Sequence, residues 1–279
     1  MDIMNRTILK KYEYAQINLV TDFNGNRYIE KIKFSIPPVI PLTFPYEYKE
    51  QEFIELIIKP LGIPHAKLIE STQNEACTTY IMEFINGINC EDKPKAEYLY
   101  LAAEKIGSMY HKSIMNISNI NKDVTEKYII TKEKIIGYID IIKEHYKLPE
   151  MIQLLDYIFE KNRNRNIFVN HHDMHFKNFI YNDDLHIIDW CGRIHPFFSD
   201  LYSLLAQADE VNADKNVIMK RYLEFSKINY ISEEDIIIGG IICSIIAMFE
   251  LLIFNCPIEW TEDSYNTLKN LILSLEVII

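Results

Sequence analysis

The sequence predicts an α+β fold in two parts, a small β-rich part over residues 1–86 and a larger, mostly helical part over residues 87–279. Between Ile8 and Phe34, strand-forming residues flank an Asn-Gly turn, which is a strong hairpin signal. After Gly87, apolar residues recur at intervals of three and four, which indicates amphipathic helices. Strand-like and helical sequence therefore occupy separate stretches of the chain, as in an α+β domain.

The N-terminal part begins with three expected strands. The expected elements are strands over residues 9–14, 16–20 and 27–34, a proline-marked loop at Pro37, Pro38, Pro41 and Pro45, a helix over residues 49–58, and a strand over residues 78–87. No glycine-rich phosphate loop is present near the start of the chain.

The C-terminal part begins with a helical stripe. One face carries Leu99, Ala102, Ala103, Ile106 and Tyr110. Residues 116–130 are polar and predict a loop, after which Thr131 is expected to cap a second helix. A third stripe covers residues 151–158, and residues 211–279 predict further amphipathic and buried helices.

A polar loop between short apolar strands carries the candidate chemistry. Asp173 and Asn178 lie in this loop, and Asp189 follows the last strand of the hairpin after it. Magnesium-dependent phosphoryl transfer needs one carboxylate that orients the attacking hydroxyl group. It also needs an amide oxygen and a second carboxylate that hold the metal on the nucleotide phosphates. We therefore assign Asp173 as the catalytic residue, and Asn178 and Asp189 as the Mg²⁺ ligands.

These residues follow one another as in the catalytic loop of protein kinases, where an Asp precedes an Asn by five residues and a metal-binding Asp comes after an apolar strand. The details are more specific. His175 lies two residues after Asp173, and Asp189 is followed by Trp190. The pattern resembles that of the aminoglycoside phosphotransferase and choline kinase-like family. His172 stands where that family usually has Gly, and Phe176-Lys177 stands where Pro-Gly is common.

The resemblance implies a bilobal protein-kinase-like fold, with ATP or GTP as co-substrate and a lysine on the third strand that reaches the nucleotide phosphates. Lys31 is preferred because its neighbours resemble the family's Tyr-Val-Leu-Lys-Ile. Lys33 stays open, because residues two apart on a strand face the same side. Glu50, Glu52 and Glu55 are candidates for the partner of this lysine, and counting back from residues 61–64 favours Glu52.

The resemblance implies three further roles. Backbone groups of Glu83, Phe84 and Ile85, at the crossover between the lobes, would pair with the adenine edge. His171 would pack under the catalytic loop. Asp200 would cap a helix and tie the loop down by hydrogen bonds. The expected activity is that of a kinase that phosphorylates a hydroxyl group of a small molecule, such as an aminoglycoside or a choline-like amine.

Two other functions stay open. A kinase-fold protein that binds without catalysing is favoured by the missing glycine-rich loop, whereas the intact Asp173, Asn178 and Asp189 argue against it. A zinc hydrolase built on His171 and His175 is the third hypothesis. Their spacing of four suits a helix face, but the flanking residues are strand-like.

Composition limits the partners. The formal net charge of −11 argues against binding to a nucleic-acid backbone. Five cysteines without a Cys-x-x-Cys pair suggest a reducing, cytoplasmic location.

The stretch from Ile236 to Phe254 has only Glu250 as a charged residue and is just long enough to span a bilayer. Gly239, Gly240 and Ser244 dilute its hydrophobicity, and we interpret it as a buried helix rather than a membrane segment.

Overall fold

The computed structural model describes residues 2–12, 15–34, 40 and 49–278, so the proline-marked loop lies outside the described residues. The N-terminal part contains β1 (Ile3–Lys11), β2 (Ala15–Asp22), β3 (Arg27–Phe34), α1 (Glu50–Phe53) with a π-helical continuation (Ile54–Ile58), β4 (Leu68–Gln73) and β5 (Cys77–Glu83). The five strands form one antiparallel sheet in the order β1-β2-β3-β5-β4.

The turn between β2 and β3 is where the sequence predicts it. Gly25 has a φ of +83°, a conformation that glycine adopts without steric cost. The Oδ1 atom of Asp22 accepts the backbone N–H groups of Asn24 at 2.8 Å and Asn26 at 2.9 Å. The hairpin prediction is confirmed, although β1 begins earlier than expected, at Ile3.

The C-terminal part is mostly helical, which together with the N-terminal sheet confirms the α+β class. Its helices are α2 (Ala96–Asn116), α3 (Lys122–Tyr128), α4 (Lys132–Lys143), α5 (Ile152–Lys161), α6 (Ser199–Ala206), α7 (Lys215–Ser226), α8 (Glu233–Ile253) and α9 (Ile258–Ile278). Thr131 caps α4 by accepting the N–H of Lys134 at 3.3 Å, as predicted.

The predicted loop over residues 116–130 is wrong, because α3 lies within it. Asn121 caps α3 by accepting the N–H of Asp123 at 2.8 Å. Of its seven residues, only Thr125 and Tyr128 are buried. Two buried positions in a short polar helix do not produce the apolar periodicity from which longer helices are recognised.

Helix α8 contains the apolar stretch. It is long and apolar enough to cross a membrane, but 67% of its most apolar window is buried inside the protein. It packs against α4, α6 and α9. A Cβ atom on Gly239 would lie 2.7 Å from the carbonyl carbon of Phe198, and one on Gly240 would lie 2.7 Å from the ring of Tyr202. These glycines therefore allow the close approach of α8 to α6, as in a buried core helix.

Short strands frame the polar loop. They are β6 (Ile88–Asn89), β7 (Phe168–Asn170), β8 (Phe179–Asn182), β9 (Asp184–Ile187) and β10 (Arg193–His195). Strands β8 and β9 form the predicted hairpin, whose turn residue Asp183 has a φ of +63°. Strand β7 is not part of this hairpin and pairs with β10, while β6 pairs with β8 and adds a third strand to the hairpin. The polar loop therefore connects two separate small sheets, each of which fixes one of its ends.

Candidate active site

The polar loop is tied to α6 through its backbone. Asp200 accepts the N–H of His171 at 2.6 Å and that of His172 at 2.8 Å, so both carboxylate oxygens hold the loop. His172 has a φ of +72°, in the left-handed region that glycine favours. This conformation explains why glycine is usual at this position in the resembled family. Asp200 lies in the first turn of α6, but Phe198 precedes that helix and forms no side-chain cap.

His171 lies beneath the loop and is fully buried. Its Nδ1 atom accepts the N–H of Asp173 at 3.3 Å, so the proton of a neutral ring lies on Nε2, which donates to the carbonyl oxygen of Ile188 at 3.0 Å. The ring thereby joins the loop to the residue before Asp189. Because both ring nitrogens are committed, His171 is unsuited to bind zinc in this conformation.

Gln207 is a second anchor of the loop that sequence reasoning missed. Its Oε1 atom accepts the N–H of Phe176 at 3.1 Å, and its Nε2 atom donates to the carbonyl oxygen of Met174 at 2.6 Å. Gln207 directly follows α6, so this helix holds the loop at both of its ends. A single glutamine after an amphipathic helix gives no sequence signal for this role.

The carboxylate of Asp173 is held from several sides. Its Oδ2 atom accepts Nδ2–H of Asn178 at 2.9 Å and lies 3.1 Å from Nζ of Lys177. Nε2 of His175 lies 3.7 Å from Oδ1. Burial lowers the pKa of His175, so its ring is neutral near pH 7. The side chain of Asp173 is 25% exposed, so it is accessible to a hydroxyl group from outside.

Asp189 meets Lys31 across the cleft between the two parts of the molecule. The ammonium group of Lys31 donates to Oδ1 of Asp189 and, at 2.6 Å, to Oε2 of Glu50. Burial alone would raise the pKa of Asp189, but the charge of Lys31 outweighs it and the pKa lies well below its usual range. Asp189 has a φ of +60°, which turns its side chain into the cleft at the end of the hairpin.

The predicted partner of the strand lysine is wrong, since Glu50 and not Glu52 contacts Lys31. Successive residues of a helix are about 100° apart, so Glu52 points about 200° away from Glu50. The Oε1 atom of Glu52 accepts instead from Nζ of Lys127 in α3, at 2.7 Å. Lys33 also reaches Glu50, with its Nζ 2.8 Å from Oε2.

Asn178 and Asp189 can supply oxygen donors to a metal. The Nδ2 group of Asn178 is committed to Asp173, so Oδ1 is the atom that Asn178 can offer. The side chain of Asp189 is 41% exposed. Within the described ranges, no group of three or more His, Cys, Asp or Glu side chains is arranged to hold a metal. One carboxylate and one amide oxygen fit Mg²⁺, which takes its remaining ligands from phosphates and water.

The segment after β5 connects the two parts. Glu83 is the last residue of β5, and its N–H donates to the carbonyl oxygen of Lys67 at 2.8 Å. The guanidinium group of Arg27 lies 4.3 Å from the ring centre of Phe84, while Ile85 follows in the connecting segment. A Cβ atom on Gly87 would lie 2.6 Å from the carbonyl oxygen of Tyr181, so glycine allows this segment to pack on β8.

A cavity of about 260 Å³ opens beside the polar loop. His175 and Lys177, which both approach Asp173, form one wall, and Glu91 and Glu210 contribute two carboxylates. Phe176 and Pro94 supply apolar surface. A small polar molecule in this cavity would therefore contact His175 and Lys177, the two residues that approach Asp173.

Comparison with solved structures identifies the same fold. Amicoumacin kinase hAmiN, solved with AMP-PNP and Ca²⁺, has a TM-score of 0.60 at 15% identity, over 97% of this chain and 87% of that one. A Haemophilus somnus protein designated a fructosamine-3-kinase gives 0.61 at 11% identity, over 96% and 91%. Spectinomycin phosphotransferase, solved with ADP and spectinomycin, gives 0.58 at 12% identity, over 97% and 90%.

No protein-family model matches the sequence, and no relative is found among curated proteins. The structural likeness nevertheless extends over almost the whole chain. The chain therefore has the bilobal, protein-kinase-like fold of small-molecule phosphotransferases, which confirms the fold expected from the sequence.

Proposed function

We propose that this protein is a small-molecule kinase that transfers the terminal phosphate of ATP or GTP to a hydroxyl group. One observation carries the proposal. Asp173 and Asn178 in the polar loop and Asp189 at the end of the hairpin lie on the cleft that Lys31 faces, in a chain with the fold of phosphotransferases. A metal-dependent phosphoryl transfer requires this set of groups.

Each group has one role in this proposal. Asp173 orients the acceptor hydroxyl and takes its proton, while Asn178 holds the Asp173 carboxylate through its amide N–H groups. Lys31 contacts the nucleotide phosphates and Glu50 steadies Lys31. Mg²⁺, when bound by Asn178 and Asp189, neutralises phosphate charge. His171 and Asp200 fix the backbone that carries Asp173.

The nucleotide base would contact the backbone of residues 83–85. The N–H of Glu83 already donates to Lys67, so the contacts fall to the other backbone groups of these three residues. On this assignment, residues 1–86 form the nucleotide-binding lobe and residues 87–279 form the lobe with the catalytic loop and the acceptor site. The five free cysteines and the buried α8 support a cytoplasmic location without membrane insertion.

The acceptor would occupy the cavity beside His175 and Lys177. Its carboxylates, Glu91 and Glu210, favour an acceptor that carries an amine. Two of the structural neighbours were solved with amicoumacin or spectinomycin, and these antibiotics belong in a first panel of acceptors with aminoglycosides, choline-like amines and sugars.

Asp173→Asn tests the proposal. The substitution keeps the size of the side chain and removes the charge and the proton acceptor. We expect turnover of labelled ATP with the accepted substrate to fall roughly 10²–10⁴-fold, the usual contribution of a general base. Nucleotide affinity should change little, because Asp173 is not assigned as a metal ligand. Full activity in this variant would exclude the mechanism.

The same measurements separate the other two functions. A kinase-fold binding protein would show no transfer to any acceptor, and Asp173→Asn would leave its nucleotide affinity unchanged. A zinc enzyme would contain bound zinc in elemental analysis, and His175→Ala would reduce that zinc content. His175 is the variant of choice, since His171 is fully buried beneath the loop.

A further inference from the structure

Two lysines of β3 converge on a single carboxylate oxygen. Lys31 and Lys33 alternate with Ile32 and so face the same side of the sheet. Their Nζ atoms lie 2.6 Å and 2.8 Å from Oε2 of Glu50. Lys31 additionally donates to Asp189. Glu50 thus has two cationic partners, and Lys31 has two anionic ones.

The two lysines differ in burial. The Lys31 side chain is 8% exposed and that of Lys33 is 36% exposed, while Glu50 is only 3% exposed. A carboxylate at this depth stays charged only when a cation or hydrogen-bond donors compensate for its lost hydration. Burial by itself would raise the pKa of Glu50, but the charges of Lys31 and Lys33 outweigh it and lower the pKa.

Nucleotide binding would change the ionic partners of Lys31. On the proposed function, on which this inference rests, Lys31 must leave Asp189 and approach the phosphates. If Lys31 were the sole partner of Glu50, sharing its charge with the phosphates would leave the buried carboxylate less well compensated and would oppose nucleotide binding. Lys33 already contacts the same oxygen and needs no rearrangement to compensate for it.

We propose that Lys33 is a positioning residue that keeps Glu50 paired and in place while Lys31 moves from Asp189 to the nucleotide phosphates. Lys33 does not contact the nucleotide in this proposal. It acts through Glu50, and its contribution is therefore larger in the nucleotide complex, where the phosphates share the charge of Lys31, than in the free protein.

Lys33→Met and Lys33→Arg test the proposal, with isothermal titration of AMP-PNP in excess Mg²⁺ and thermal melting of the free protein. We expect Lys33→Met to weaken AMP-PNP binding about tenfold, between the effect of breaking an exposed ion pair and that of breaking a buried one, and Lys33→Arg to stay within about threefold of the unmodified chain. The melting temperature of the free protein should hardly change. Lys59→Met, which removes the exposed pair with Glu55, is the control and should bind AMP-PNP normally.

A double-mutant cycle with Glu50→Gln shows whether Lys33 acts through Glu50. With Gln at position 50 there is no buried charge to compensate, so adding Lys33→Met should change AMP-PNP affinity less than about twofold. A tenfold loss that persists in this background would overturn the proposal, since Lys33 would then contact the nucleotide directly. Unchanged affinity in Lys33→Met, or a large loss of stability in the free variant, would overturn it as well. Failure of the unmodified chain to bind Mg²⁺ and AMP-PNP would instead refute the proposed kinase function.

Discussion

Lys31 and Asp189 are 158 positions apart in the sequence, and the ammonium group of Lys31 donates to Oδ1 of Asp189. The pair joins the N-terminal sheet to the end of the β8–β9 hairpin and thus spans the cleft. The two charges neutralise each other in this state. A nucleotide with its metal would separate them, because phosphates attract the lysine and a cation attracts the carboxylate.

Asp189→Ala is predicted to remove the effect of Mg²⁺ on nucleotide binding. In the unmodified chain, AMP-PNP should bind more tightly with Mg²⁺ than without it. In the variant, the metal loses its carboxylate ligand, so this difference should disappear. Without Mg²⁺, the variant should bind AMP-PNP at least as tightly as the unmodified chain, since Lys31 is then free of its competitor. Titrations with and without Mg²⁺ measure both effects.

Asp184→Ala is a matched control for this experiment. Asp184 begins β9 on the same hairpin and pairs on the surface with Lys105 at 2.6 Å, far along the strand from Asp189. It should leave the effect of Mg²⁺ unchanged. If Asp189→Ala retains the full effect of Mg²⁺, Asp189 is not a metal ligand.

Glu50→Gln should impair nucleotide binding and phosphoryl transfer, whereas Glu52→Gln should not. Glu50 contacts Lys31 and Lys33, so loss of its charge should weaken AMP-PNP binding and slow phosphoryl transfer. Glu52 pairs with Lys127, and both side chains are about one-third exposed, at 31% and 27%. Such pairs contribute about 0.2–1 kcal/mol to stability, so Glu52→Gln should lower the melting temperature slightly and leave affinity and turnover unchanged. A larger loss of turnover in Glu52→Gln would restore the sequence-based assignment.

The position of the polar loop could be predicted from the sequence for a physical reason. The hairpin of β8 and β9 and the strand before the loop are short, apolar and separated by turn residues, so the positions of Asp173, Asn178 and Asp189 relative to these strands could be predicted. Lys31 is preferred because its neighbours resemble those of the family's strand lysine, while strand alternation keeps Lys33 open.

Features that depend on helix phase or on tertiary contacts could not be predicted. Glu50 and Glu52 differ only in which side of a short helix they occupy, and the sequence does not show which side faces the strand lysine. Strand β10 is three residues long and exists because β7 is available to pair with it. The anchoring role of Gln207 likewise depends on where α6 ends relative to the loop.

Stability should fall at mildly acidic pH because of His195. This residue is fully buried, and its Nδ1 atom accepts the N–H of Phe197 at 3.3 Å. Burial lowers the pKa of His195 from 6.5 to about 3, with a smaller contribution from the charge of Arg193. As the pH falls below about 6.5, His195 becomes protonated in the unfolded chain but stays neutral in the folded chain. The free energy of unfolding therefore decreases until the pH reaches about 3, where the folded chain is protonated as well.

His195→Asn isolates this effect, since asparagine keeps an acceptor and does not titrate. Between pH 7.5 and 5, the unmodified chain should lose about 2 kcal/mol more free energy of unfolding than the variant, on a linkage of about 1.4 kcal/mol per pH unit. Urea unfolding at the two pH values measures this. His145→Gln is the control, because His145 is exposed, and it should follow the unmodified chain. Equal pH dependence of His195→Asn and the unmodified chain would contradict the assignment.

Gly192→Ala should weaken nucleotide binding indirectly, through the packing of α1. Gly192 follows Asp189 by three residues and packs directly on α1. A Cβ atom there would lie 1.9 Å from the ring of Phe53, which is buried in the core and belongs to the same helix as Glu50. Because the Phe53 ring is fully buried and packs against Tyr128, we expect the methyl group to displace α1, to shift Glu50 away from Lys31 and to cost about 1–3 kcal/mol of stability by overpacking.

Titration of AMP-PNP with Mg²⁺ and thermal melting check this prediction together. Gly62→Ala is the matched control, because Gly62 has a φ of +65° but nothing within 4 Å of an added Cβ atom. Alanine is strained at that φ, so the control should lose stability as well, by about 1–2 kcal/mol, while its AMP-PNP affinity stays unchanged. Phe53→Leu in the Gly192→Ala background should recover part of the affinity by making room for the methyl group. If Gly192→Ala loses stability but binds AMP-PNP normally, the contact between Phe53 and Gly192 serves the core alone and does not position Glu50.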